Sequence, residues 1–280
     1  MVKELREMTG AGMMECKKAL VEAEGDMDKA VDILRTRGLA AAAKKAGRAT
    51  NEGTIMTVIA DDEKSAAILE LNCETDFVAE NETFKGYARK ITAAALANRP
   101  ADVDALKACE AEGGDTVDAL LTDAIHTIGE NTRIKRFEVV DGDVISSYIH
   151  AGGKIGVLVQ FGVEGIDTAS EEFKQYSHDV AMQVAAAAPT AANREDYAPE
   201  VIEHELEIYR VQAAESGKPE NIQEKMVQGR LEKFYKEFTL SEQVFVKDSD
   251  QTINQYTAKV AKDLGGEIKI AGFVRYVLGE

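Results

Sequence analysis

The chain carries an internal repeat. The segment GTIMTVIADDEKSAAILELN from Gly53 lies over GDVISSYIHAGGKIGVLVQF from Gly142, an offset of 89 positions, and FKGYARKI from Phe84 lies over FKQYSHDV from Phe173 at the same offset. Each copy reads as strand, tight turn, strand, loop and alanine-rich helix, with Phe84 and Tyr87, or Phe173 and Tyr176, three apart on one helical face. The correspondence returns at TVDALLTDAIHTIGENTRIKRFEVV from Thr116, which lies over TINQYTAKVAKDLGGEIKIAGFVRY from Thr252, now offset by 136. The second copy therefore holds 47 extra residues between its two helices. This arrangement predicts an α+β fold of two related halves, each with a three-stranded antiparallel sheet.

The extra residues read as two strongly helical runs joined at SGKP, within about 190–238. They are expected to form an antiparallel helical hairpin, with Ile202, Leu206, Tyr209 and Ala213 facing Ile222, Met226 and Gly229. Ahead of the repeat, residues 1–39 predict three short helices punctuated by Gly10, Gly12, Gly25 and Gly38, with Asp26 capping the third and Gly38 ending it. Residues 40–52, rich in alanine and basic residues, read as a helical or extended linker. The domain expectation is thus 1–39, a linker at 40–52, and core halves at 53–141 and 142–280.

The net charge of −17, from 33 basic and 50 acidic residues, would repel a phosphate backbone at most faces, so nucleic acid is not expected as a direct partner. Cys16, Cys73 and Cys109 stand far apart with no CxxC, which implies neither a disulfide framework nor a zinc site and fits a reducing cytoplasm. No apolar run approaches the roughly 20 residues of a membrane span. GAGMME lacks the third glycine of a dinucleotide fingerprint and GGKIG lacks the spacer of a phosphate loop. His126, His150, His178 and His204 have no partner at a ligand spacing, so no catalytic set emerges.

Two places resist a purely structural account. In TDFVAENETF from Thr75, a phenylalanine follows an aspartate where a loop normally carries polar residues. Phe77 falls on Ile166 in the second copy, which is compatible with a core role, whereas Asp76 falls on Gly165 and has no counterpart. Met13 and Met14 lie about 100° apart on one helix, so at least one is expected to be exposed; for either residue the two readings are core filler and an adaptable binding surface. His150, at the turn of the second hairpin, reads as a solvated turn residue.

Taken together, TGAGMMECKKAL at Thr9, TDFVA at Thr75, IGENTRIKR at Ile128, HAGGKIGVLV at His150 and SGKPENIQEKMVQGRLEKF at Ser216 resemble the elongation factor Ts family, in order, up to about Tyr276. The resemblance implies a nucleotide exchange factor in translation elongation, without covalent chemistry or a cofactor of its own. Its partner would be elongation factor Tu, touched at the GTPase domain and a further domain. It implies that residues 1–39 form a three-helix bundle of the ubiquitin-associated type, with Leu5, Met13 and Met14 as contacts. It implies that Thr75, Asp76, Phe77 and Val78 enter the GTPase domain and dislodge its magnesium ion, with Ile128 and Gly129 alongside, and that His150 is a contact rather than a plain turn residue. Relatives commonly have a lead-in before the first helix and a helical module after the last strand, which this sequence does not carry. The alternative is a binding or chaperone module for a GTPase that does not accelerate exchange.

Overall fold

A computed structural model describes residues 1–9 and 11–280. Three helices come first: α1 (Val2–Thr9), α2 (Met13–Glu22) and α3 (Met27–Lys45). They enclose a small core of Leu5, Cys16, Ala19, Leu20, Ala30 and Leu34. Asp26 caps α3 as expected, its carboxylate accepting from the Lys29 amide at 3.0 Å. Gly38 does not end that helix. The alanines that follow it are strong helix formers, so α3 runs on to Lys45 and Gly38 is buried mid-helix against α7 (Val117–Ile128). Gly10, the first expected break, lies outside the described residues.

The first half of the body follows as β1 (Glu52–Ile59), β2 (Ser65–Cys73), α4 (Asp76–Ala79), α5 (Glu82–Asn98), α6 (Val103–Ala108), α7 and β3 (Arg133–Asp141). The second comprises β4 (Val144–His150), β5 (Ile155–Glu164), α8 (Glu171–Ala187), α9 (Pro199–Glu215), α10 (Glu220–Phe238), β6 (Val244–Phe245), β7 (Asp248–Thr252), α11 (Ile253–Leu264) and β8 (Glu267–Val277). The sheets are antiparallel, ordered β1-β2-β3 and β4-β5-β8, with β6 and β7 as a separate small ribbon. The two strands, the long helix, the later helix and the last strand of each half thus repeat, while α4 has no counterpart in the second half. α6 and the ribbon, short and without clear periodicity, are additions that the sequence pattern does not announce.

Alternation along the central strands decides how the halves meet, because successive side chains point to opposite faces. Ala67, Leu69 and Leu71 of β2 join Phe84, Ile91 and Leu121 in the first core; Val157, Val159 and Phe161 of β5 join Phe173, Tyr176 and Val180 in the second. The opposite faces supply Ala66, Ile68 and Leu158, which meet Ile55, Ile145 and Tyr276 in a cluster between the two sheets. Both central strands are therefore buried on both sides.

Two features close this seam. A Cβ on Gly156 would lie 2.3 Å from Ile55 Cγ2, and one on Gly153, at φ +105°, would lie 2.1 Å from Thr54 Oγ1. Glycine is required at both places. Beside them Glu70, fully buried, accepts from Arg136 Nε at 2.8 Å and from the Gly279 amide at 3.2 Å. Arg136 also donates to the Val277 carbonyl at 2.9 Å and lies 4.1 Å over the Tyr276 ring, so one guanidinium joins β2, β3 and β8.

The helical hairpin is present, its helices joined through residues 216–219. Its seam needs two corrections: Gly229 is exposed with open space around it and Ile222 is exposed as well, and α10 contributes the buried Val227 beside Met226. At the base Arg194 donates to Glu232 at 2.9 and 2.7 Å and to Glu242, and lies 4.2 Å over the Tyr235 ring.

Candidate functional site

The segment from Thr75 to Val78 begins where β2 ends. Thr75 leaves the strand in an extended conformation and caps α4, its hydroxyl accepting from the Val78 amide at 3.4 Å. Asp76 folds its own carboxylate onto the Phe77 amide at 2.9 Å. In so short a helix only one side can be anchored: Val78 packs on the first core and Ala79 is buried, which turns Asp76 and Phe77 outward. Phe77 is 86% exposed, more than any other large apolar residue in the described chain. That settles its conformational role. It is not a core residue, whereas Ile166, its counterpart in the repeat, packs partly buried against the second core.

The turn is held by the loop after α7, through Glu130 and Asn131, two residues that the sequence does not single out. After α7 the chain reverses at Gly129, in the left-handed region at φ +88°, and presents Glu130. The Glu130 carboxylate accepts from the amides of Glu74 and Thr75, each at 3.0 Å, and from the Thr75 hydroxyl at 2.6 Å. Glu74 returns the contact, accepting from the Asn131 amide at 2.7 Å, and this bond holds its carboxyl below the usual range with help from Arg48. The buried Asn131 side chain donates to the carbonyls of Ala46 and Arg48 at 3.4 and 2.9 Å. Glu130 and Asn131 thus fasten together the β2 exit, the α7 exit and the segment after α3. Their only sequence signal is two polar residues directly behind a helix-ending glycine.

Ile128 packs half-buried on the first core, and the exposed Gly129 directly precedes Glu130, which holds Thr75. His150 is exposed at the end of β4, its Nδ1 3.1 Å from the Tyr148 hydroxyl. The turn after it, Ala151–Gly153, sits on Thr54, while Cys73 pairs with Glu52. The start of β1 therefore supports both the His150 turn and the Thr75 turn.

The N-terminal helices stand elsewhere. They meet the turn before α7 through Arg35 and Asp115 at 2.9 Å, and α7 itself through Glu15 and His126 at 3.1 Å and Lys45 donating to the Ile125 carbonyl at 3.2 Å. Met13 and Met14, 56% and 62% exposed, are free for contact. Leu5 is not: it is fully buried in the module's own core, and its expected contact role is corrected on that ground.

The family profile described as "Elongation factor TS" matches residues 74–280, starting one residue before the Thr75 turn. The chain belongs to the elongation factor Ts family. An elongation factor Ts from Clostridium botulinum (strain Alaska E43 / Type E3) is 49% identical over 281 residues, covering 100% of this chain and 92% of the relative. Those from Clostridium tetani (50% over 285 residues, 100% and 92%) and Trichlorobacter lovleyi (48% over 284 residues, 100% and 91%) agree equally well. The full-length match to elongation factor Ts includes the N-terminal helices that the profile leaves out, and it assigns the chain to translation elongation.

Proposed function

We infer that the chain is a guanine nucleotide exchange factor: it binds elongation factor Tu carrying GDP, displaces the magnesium ion of that GTPase, and promotes GDP release so that GTP can bind. What supports this reading is an 86% exposed phenylalanine on a turn preassembled by Glu130. Exposing Phe77 has no folding benefit, and fixing it in place serves a surface into which the ring can be inserted. In this proposal Thr75 and Asp76 set the turn, Phe77 is the wedge, Val78 anchors it, and Ile128 and Gly129 pack alongside. His150, Met13 and Met14 provide contacts away from the wedge, and the reaction takes place in the cytoplasm.

No covalent bond changes. A factor that binds the nucleotide-free GTPase more tightly than the GDP form must, by linkage, weaken GDP by the same ratio. Each tenfold requires about 1.4 kcal/mol of differential contact. Burying one phenylalanine side chain contributes roughly 1.5 to 3 kcal/mol, which is of useful size if the pocket for the ring exists only in the nucleotide-free form.

The test is release of fluorescent GDP from elongation factor Tu with and without the chain. Acceleration that diminishes as free magnesium is raised supports the proposal. Binding to the GTPase with an unchanged GDP release rate would establish the non-exchanging module instead.

A further inference from the structure

The helical hairpin buries one face of α9 and leaves an ordered pattern on the other. The seam residues Ile202, Leu206, Tyr209 and Ala213 cluster on one side of the helix. At about 100° per residue, Val201, Ile208 and Val211 fall within an arc of about 80° on the far side, and they are 45%, 36% and 60% exposed. His204 lies within the same arc. Glu200, Glu203 and Glu207 run along one edge of this stripe and Glu205 along the other. α9 holds five glutamates, and Arg210 is its single Lys or Arg. An apolar stripe bordered on both edges by one sign of charge is half of a helix-pairing surface.

The charges select the occupant. A second copy presenting its own α9 would set glutamates against glutamates, which opposes pairing. A second copy presenting α10 fits no better: that helix balances four glutamates with four Lys or Arg, and its exposed large apolar residue is Ile222 alone. The complement is a helix with an apolar stripe bordered by lysine and arginine. We propose that the outer face of α9 docks a basic amphipathic helix of another protein, laid along Val201, Ile208 and Val211 with its cations against Glu200, Glu203, Glu205 and Glu207. The stripe is about 15 Å long, three turns of a partner helix, which suits a reversible and salt-sensitive contact. This site is independent of the Phe77 turn and adds a second partner to the exchange role.

The experiment uses the full chain and a labelled helical probe of roughly 18 residues, with leucine at the stripe positions and lysine on both borders, followed by fluorescence anisotropy. Controls are a scrambled peptide of the same composition, the V201S/I208S/V211S variant and the E203K/E207K variant. Saturable binding that weakens by about tenfold or more in both variants, falls with added salt and is absent for the scrambled peptide supports the proposal. Unchanged melting and GDP-release rates show that the variants are folded. Equal binding of the scrambled peptide, equal binding to the serine variant, or no binding at all overturns it. Sedimentation showing self-association of the wild type that the serine variant abolishes also overturns it, in favour of a second copy.

Discussion

Glu130 grips Thr75 at two points, one carboxylate oxygen accepting the hydroxyl at 2.6 Å and the other accepting the backbone amide at 3.0 Å. The two residues are 55 apart in sequence, so the exit of α7 sets the conformation of the exit of β2. Hydrogen bonds to charged groups contribute about 1.5 to 3 kcal/mol, with the lower end apt for a half-exposed site. Glu130→Ala should therefore slow factor-stimulated GDP release by about tenfold while shifting the melting temperature by only a few degrees. Glu130→Gln, which keeps one acceptor oxygen, should fall between. Normal stimulated release in the alanine variant would remove Glu130 from the account of the site.

Phe77→Ala separates folding from function. An exposed ring cut to alanine should leave the melt nearly unchanged, where a buried phenylalanine would cost roughly 3 to 5 kcal/mol. Its effect should appear as about 2 kcal/mol or more of lost coupling in GDP release. Ile166→Ala is the matched control and should lower stability without altering exchange by a folded sample. An early melt combined with a normal release rate in Phe77→Ala would defeat the wedge.

At the seam, Gly156→Ala forces a methyl group into Ile55 Cγ2, and overpacking of this kind costs typically about 1 to 3 kcal/mol. Ile55→Ala alone should also destabilise, by roughly 2 to 5 kcal/mol. In the double variant the new methyl enters the vacated space, so denaturant titrations should give a loss smaller than the sum. Strict additivity would mean that the two side chains do not meet.

Burial, reinforced by the Glu130 carboxylate, pushes the Cys73 thiol up from 9.0 to about 12, and its Sγ donates to the Thr75 carbonyl at 3.2 Å. Between those values the unfolded chain releases a proton that the native chain keeps, so stability falls as pH rises from 9.0 toward about 12. Cys73→Ala should flatten that part of the alkaline stability curve. In mildly alkaline native samples a thiol reagent should modify the half-exposed Cys109 and spare Cys73, as peptide mapping would reveal. Early labelling of Cys73 would contradict its closed environment.

The hairpin should be dispensable beyond its base. Arg194, Glu232 and Tyr235 fasten the lower turns to the body, whereas residues 206–227 contact chiefly each other. Replacing that stretch with a short glycine linker should preserve a cooperative melt. Loss of the transition would show that the outer hairpin supports the core.

The architecture was legible because repetition is a long-range signal: two copies of one pattern announce the same sheets and helices even where either alone is ambiguous. Short elements lack that support. α6 and the β6–β7 ribbon bury few residues each, so they leave little periodicity to read. Gly38 misleads as a helix end because the alanines behind it favour continuation and α7 provides a surface for it. Phe77 stays ambiguous in sequence since an apolar residue occupies both copies. What separates it from Ile166 is the short helix capped by Thr75 and the remote carboxylate of Glu130, neither of which is a local property.

The glycine notches at Gly153 and Gly156 bear on how mechanical work is divided between two molecules. With backbone seated against side chain and Glu70 locked beneath Arg136, the sheets have little freedom to slide, so the His150 and Phe77 turns are carried on halves whose relative position is fixed. A partner that closes on both must fit their span. When two bodies are forced into register, the softer one deforms, so under the proposed exchange function a stiff seam would direct strain away from this chain and into the GTPase.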